Sequence, residues 1–207
     1  MVRHPTEVRQ EQIKKAVLDI IFEEGLDRLT TRNVAHRVQL SEGAIFRHFP
    51  TKVAILQAIM ADVERDLMGA LRTVAHGGAP AEERLLSFLC THVGYLRGNR
   101  GITILLFSEA AHLGDGGLKA SLRRILAEMK TLVMGIIADG IREGSWSTRV
   151  IPEDAATIYM GIPVSLNVEM ILNPGGLDMD NFCRRMVALV VGGLAHGPAP
   201  LLPHAEA

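Results

Sequence analysis

The sequence predicts an all-α protein of about nine helices, on three observations. Apolar residues recur at spacings of three and four along most of the chain. No stretch alternates apolar and polar residues as a strand would. The breaks between periodic segments fall at capping residues or at glycine and proline clusters. With 48% apolar residues over 207 positions, a sizeable core is available.

Ile13, Val17, Ile20 and Ile21 form the apolar face of a first helix, with Lys14, Asp19 and Glu23 set between them, and Glu24-Gly25 ends it. Thr30 and Thr31 offer an N-cap for a second helix that runs to Arg37 or Val38. Ser41 caps a third, Pro50 stops it, and Thr51 caps a long fourth whose stripe is Leu56, Met60, Val63, Leu67 and Val74. After HGGAP at 76–80, a fifth helix covers about 81–97 and a sixth about 101–112. A seventh, about 118–143, repeats Leu118, Leu122, Ile125, Met129, Leu132 and Ile136 and ends at Gly144. Pro152 opens an eighth, where proline is welcome in the first turn. NPGG at 173–176 closes it, a ninth runs from about Asp178 to Ala195, and the proline- and alanine-rich 198–207 reads as a disordered tail.

The net charge of -1 excludes a chain that is basic throughout, so any nucleic-acid surface is local. Cys90 and Cys183 lack metal-type spacing and fit a reducing compartment. The N-terminus lacks the apolar stretch of a signal peptide, and the longest apolar run, 186–195, is too short to span a bilayer. The expectation is a soluble cytoplasmic protein without a membrane partner.

Residues 30–52 then read as a helix-turn-helix. Val34, Ala35, Val38, Leu40, Ile45 and Phe49 can pack its two helices together and onto the first. Glu42, Gly43, Ala44, Phe46, Arg47 and His48 remain as the outward set. Small residues at the start of that helix let its backbone approach base edges in a major groove. Ser41 and the helix N-termini can meet phosphates. From 28 to 52, Arg28, Arg32, Arg37, Arg47 and Lys52 stand against Glu42, a net +4 on a chain otherwise net negative.

The stretch TTRNVAHRVQLSEGAIFRHFPTKVAIL, with its lead-in FEEGLDRLT, resembles the N-terminal domain of the TetR family of bacterial transcriptional regulators over roughly residues 9–60. The matching positions are Thr30, Thr31, Val34, Ala35, Leu40, Ser41, Gly43, Ala44, Ile45, Phe46, His48, Phe49, Thr51 and Lys52. The resemblance implies phosphate contacts from Thr31, Arg32 and Lys52, base contacts from Glu42, Gly43 and Ala44, and packing along the DNA backbone by Phe46 and His48. Gln39 departs from it, standing where a turn glycine is usual, and a left-handed residue other than glycine costs about 1 kcal/mol. Phe46 departs too, lacking the hydroxyl of the commoner tyrosine. Glu42 can accept from a cytosine amino group or serve the helix N-terminus, and the second reading is preferred.

The domain division expected is 1–52 for DNA and 53–197 for effector binding and dimerisation. The second part holds no nucleotide loop or catalytic motif, so neither an enzymatic activity nor a cofactor is expected. Polar residues inside its apolar helices are candidate effector contacts: His92, Tyr95, Phe107, Glu109, His112, Tyr159 and Asn167, with Ser108 and Ser165 beside them. Each can equally be a core group with a hydrogen-bonded neighbour. Glu109 and His112 could share a metal with His92, but that spacing is common by chance and no metal is assigned. The apolar surplus on helices eight and nine (Ile158, Ile162, Val164, Leu166, Val168, Ile171; Met186, Leu189, Val190) points to a partner surface. The resemblance implies an effector site between helices four and eight and a two-fold, four-helix dimer interface. Together these predict a homodimeric regulator, a repressor by preference, that binds an operator in double-stranded DNA and responds to a small hydrophobic molecule. Glycines 114, 116 and 117 are its candidate hinges. Rival readings are an architectural DNA binder without an effector, or an all-α enzyme or carrier with an accessory helix-turn-helix.

Overall fold

The computed structural model describes residues 6–105, 116–173 and 175–198, and among these every regular element is helical. The sequence-read boundaries hold closely at the N-terminal end. Helix α1 spans Thr6–Glu24 and buries Ile13, Val17, Ile20 and Ile21 at 1% exposure or less; Gly25 ends it at φ 90°. A 3-10 turn, Leu26–Arg28, leads to α2, Thr31–Arg37. The Thr30 hydroxyl accepts from the Asn33 amide at 3.1 Å, so Thr30 rather than Thr31 is the cap.

The turn after α2 shows why glycine is usual there. The Leu40 amide donates to the Ala35 carbonyl at 2.9 Å and the Gln39 amide to that of His36 at 3.2 Å. This pair of bonds closes a helix through a left-handed residue, and Gln39 occupies that position at φ 55°. The turn is kept and the strain accepted.

Helix α3, Glu42–His48, is capped by Ser41, whose Oγ accepts from the Ala44 amide at 3.2 Å. Thr51 caps α4, Lys52–Asp62, by accepting from Ala54 at 3.1 Å. The helix then passes without a break through a π-helical stretch, Val63–Met68, into α5, Gly69–Ala75. Leu56, Met60, Val63 and Leu67 are buried as the stripe predicts, but the next buried residues are Met68, Leu71 and Ala75 rather than Val74, which is half-buried. A π-turn holds more residues per turn than an α-turn, so the inward face shifts register there.

Helices α6 (Ala81–Gly98), α7 (Gly116–Arg142), α8 (Pro152–Leu172) and α9 (Phe182–His196) follow. Of the expected sixth helix, only 102–105 is described as helical. The hinge candidate Gly114 and the tail residues 199–207 lie outside the described residues, whereas Gly116 and Gly117 sit in the first turn of α7. Helix α9 starts four residues later than the sequence suggested. Asp178 and Asp180 instead form a turn, with Asp178 Oδ1 accepting from the Asp180 amide at 2.8 Å and Arg185 reaching Asp178 at 3.0 Å. Among the described residues, α8 is the helix long and apolar enough to cross a membrane, contrary to the sequence estimate; a third of that stretch is buried, and Pro163 lies inside it.

By contact the chain divides into two compact units, Met1–Gly69 with Gly94–Ala127, and Ala70–Val93 with Glu128–Ala207. In the first, α1 is the hub. A Cβ at Gly101 would stand 2.1 Å from the Leu18 carbonyl oxygen, so only glycine permits that approach, and the Arg100 guanidinium lies 5.6 Å from the Phe22 ring centre. In the second unit, Phe88 and Tyr159 meet edge to face at 6.2 Å, and the Trp146 ring lies where a Cβ on Gly140 would be, 2.3 Å away. Arg84, 7% exposed, donates to the Ala75 carbonyl and to Asp139 at 2.8 and 2.9 Å.

The left-handed Gln39 yields a direct test. Gln39→Gly removes the steric cost and should stabilise the chain by about 0.5–1 kcal/mol, seen as a melting temperature about 1–4 °C higher. An unchanged or lower value would mean that the turn carries no strain.

Candidate nucleic-acid interface

The outer surface of α3 follows from helix geometry. Ala44, Ile45 and Phe49 are buried at 6%, 1% and 6% exposure. Residues three and four apart share a face of a helix, so Gly43, Phe46 and Arg47, with Glu42 beside them, form the outward face, all exposed, while 44, 45 and 49 turn inward. This corrects the sequence reading of Ala44: its methyl belongs to the core of the head and does not present itself outward. His48 is half-buried at the edge, with its Nδ1 buried and without a partner among the described residues.

Two features mark this face as built for close approach. A Cβ at Gly43 would meet nothing within 4 Å, so nothing in the protein's own packing requires glycine there. Glycine in a helix costs about 0.5–1 kcal/mol relative to alanine. Phe46, one turn further on, is 50% exposed, a large apolar side chain left in water. A helix with a bare backbone patch flanked by Phe46 and Arg47 suits a groove edge, where apolar groups meet thymine methyls and arginine meets guanine.

The surrounding polar groups agree in part. Arg32, Ser41 and Lys52 are exposed and Thr31 is half-buried, each at or near a helix start, where free amides favour an anion. Glu42 is exposed in the first turn of α3, but the cap bond comes from Ser41. Arg37 is not available as the sequence count assumed. Its guanidinium binds Glu23 at 2.7 Å and Glu24 at 2.6 Å, tying α2 to the end of α1. Arg28, Arg32, Arg47 and Lys52 are the exposed cations that remain in this segment.

Sequence reasoning missed two supports behind the face. Gln10 Nε2 donates to the His48 carbonyl at 3.3 Å, steadying the end of α3 from α1. Lys14, set between the apolar positions of the first helix, is only 7% exposed and pairs with Asp62 at the end of α4 and with Glu11 at 2.6 Å. Burial works against its charge, but the Asp62 and Glu11 carboxylates outweigh that and hold its pKa above the usual lysine value. Nothing in the sequence joins Lys14 to a partner 48 positions on.

The effector candidates fare differently. Phe107, Glu109 and His112, with Ser108, lie outside the described residues. Tyr159 is 1% exposed and its hydroxyl donates to the Leu85 carbonyl at 2.5 Å; Asn167 is 3% exposed and its amide donates to the Pro163 carbonyl at 2.9 Å. Both are core groups with partners in the fold. His92 is 9% exposed, and burial pushes its imidazole down to about 4, so it is neutral at physiological pH. Tyr95 is half-buried and is pushed up to about 12 by burial, then by Asp66 and Asp62. None of these four lines either of two cavities in the structure. One, about 440 Å³, lies between α4 with its π-turn and the start of α7, lined by Gln57, Met60, Glu64, Arg65, Leu118 and Arg124 among others. The other, a groove of about 340 Å³, runs between α8 and α9 and includes Ile151, Ile158, Leu189, Val190 and Gly193. Among the described residues no three His, Cys, Asp or Glu side chains stand close enough to hold a metal.

Comparison with known proteins converges on the same segment. Residues 13–59 match the family model described as bacterial regulatory proteins, tetR family. The chain is 27% identical over 146 residues to the nucleoid occlusion factor SlmA of Actinobacillus pleuropneumoniae, covering 70% of this chain and 72% of that protein. It is 21% identical over 187 residues to the HTH-type transcriptional repressor KstR2 of Rhodococcus jostii, covering 90% and 91%. The crystal structure of AibR in complex with isovaleryl coenzyme A and operator DNA shares the fold, with a TM-score of 0.72 at 18% identity over 87% of this chain and 97% of AibR. The helix-turn-helix of α2 and α3 lies within the segment that matches the TetR family of bacterial regulatory proteins, and the chain shares the fold of solved regulators such as AibR.

Proposed function

We propose that the chain is a cytoplasmic repressor that reads a palindromic operator in double-stranded DNA as a homodimer and is released from it by a small hydrophobic effector. The observation that carries the reading is the outer face of α3, where Gly43 leaves open backbone between exposed Glu42, Phe46 and Arg47. In this reading Thr31, Arg32, Ser41 and Lys52 hold phosphates, and Gly43, Phe46 and Arg47 meet bases. Residues 1–52 read DNA, and 53–197 carry dimerisation and effector binding.

Dimerisation is supported by the apolar surface of α8 and α9. Ile158, Leu172 and Leu189 are 69%, 76% and 72% exposed, and Ile151, Val164, Val168 and Ile171 are exposed as well. A contiguous apolar patch on a water-facing surface is the mark of an interaction site, and the groove between the two helices gives a second copy a surface to interlock with. A two-fold pair of heads then addresses half-sites about one helical turn apart. The effector is supported by likeness: AibR was crystallised with both isovaleryl coenzyme A and operator DNA, and KstR2 is named a repressor. A second reading, a DNA binder without a small-molecule effector, is favoured by the likeness to a nucleoid occlusion factor and by the internal satisfaction of Tyr159 and Asn167.

Selection of random duplexes by the purified protein at near-physiological salt tests the core of this. A palindromic consensus is expected, and Arg47→Ala should weaken binding to it by about 1–3 kcal/mol. Only salt-sensitive bulk binding, with no consensus, would favour the architectural reading instead. Gly43→Ala separates folding from reading. It should raise thermal stability by about 0.5–1 kcal/mol, yet lower affinity for the selected operator about tenfold or more. Unchanged affinity would remove Gly43 from the interface.

A further inference from the structure

The part-buried pair between Lys14 and Asp62 stands at an informative place. Lys14 lies in the middle of α1, the helix on which α2 and α3 are assembled, and it is one of few buried charged side chains among the described residues. Asp62 is the last residue of α4 before the π-turn. One of its carboxylate oxygens takes Lys14, and the other takes Arg65 from within the π-turn at 2.8 Å. Arg65 in turn binds Asp66 at 2.8 Å. An unbroken ionic chain, Glu11–Lys14–Asp62–Arg65–Asp66, therefore starts on α1, passes through the end of α4 and finishes in the π-turn.

Packing alone does not call for this arrangement. The neighbouring contacts of α1 are apolar and close-packed, with Ile13 and Val17 at 0% and 1% exposure on either side of Lys14. A buried ion pair seldom stabilises more than a well-packed apolar pair of similar size, but it tolerates much less displacement, because moving either partner strands a charge. An apolar contact slides; this one registers. The π-turn is a local change of helical register that recurs at functional positions, and Arg65 joins it to the same carboxylate that holds α1.

We propose that Lys14 and Asp62 are positioning residues: their ion pair, braced by Arg65 of the π-turn, fixes the angle of α1 on α4 and thereby the half-site spacing that the recognition helices accept. The role rests on the dimeric, operator-reading function proposed above. The pair touches no base; it acts by holding α1, on which α3 is packed.

The test uses the full chain and a duplex library in which the half-site selected by the wild type is repeated at varied separations. Lys14→Met with Asp62→Leu replaces the pair by apolar groups of similar size. The double variant should melt at or above the wild-type temperature and keep the half-site sequence, while its preference for one spacing over those one or two base pairs away falls about tenfold. A folded double variant with the wild-type spacing preference would overturn the proposal. Arg65→Ala, at an exposed side chain, keeps the question open to decision if the double variant does not fold: a loss of spacing preference of about threefold is expected, and no loss counts against the role. Lys14→Arg, which keeps the pair, should retain the preference. If the wild type itself yields no two-fold consensus, the dimeric reading fails and takes this proposal with it; a consensus with a spacing that neither variant alters sinks this proposal alone.

Discussion

A helix of seven residues cannot hold itself together in water, and the recognition helix α3 has seven. It exists because Ala44, Ile45 and Phe49 are buried in the same small core as Ile13, Val17, Ile20 and Ile21 of α1. Its partner α2 has the same length and the same need, met by Val34 and Ala35. The other features of the head serve that packing. Thr30, Ser41 and Thr51 satisfy amides that such short helices would otherwise leave bare. Arg37 binds the end of α1, and Gln10 reaches the end of α3. What α3 does not spend on the core is four outward residues, and the DNA-reading function is assigned to those.

The capping residues, the end of α1 at Gly25 and the run of helices were legible because each rests on chemistry within a few positions of sequence. The same holds for the departure at Gln39, where a turn type that favours glycine could be named before its φ was known. Ala44 was misplaced because a methyl beside a glycine carries little amphipathic signal; only the burial of Ile45 and Phe49 fixes which way it turns. Arg37 counts as a free cation in the sequence, and the burial of Lys14 is not visible there, because their partners, Glu23 with Glu24 and Asp62, lie 13 to 48 positions away. The π-turn has no sequence signature, and it moved the buried stripe from Val74 to Leu71 and Ala75. Tyr159 and Asn167 looked like ligand contacts since buried polar groups need partners; those partners are the backbone carbonyls of Leu85 and Pro163, which no side-chain pattern reveals.

Each compact unit holds a buried cation bound to a carboxylate, Lys14 with Asp62 in one and Arg84 with Asp139 in the other. In both, a helix otherwise packed by interchangeable apolar contacts gains one contact that cannot slide. Arg84 also binds the Ala75 carbonyl at the end of α5, so its fork closes a helix terminus as well as an ion pair, and the Asp139 carboxyl is held below the usual carboxylate range by that guanidinium. In a protein whose proposed task is to present two short helices at a set separation, contacts that fix register matter more than contacts that add stability.

In the proposed function, two copies of α3 address one duplex through the exposed face of Gly43, Phe46 and Arg47. Hydroxyl-radical footprinting of the wild-type protein on its selected operator tests this most directly. Two symmetric protected patches on one side of the duplex, with centres about one helical turn or slightly more apart, are the predicted result. A single protected patch without two-fold symmetry would contradict it.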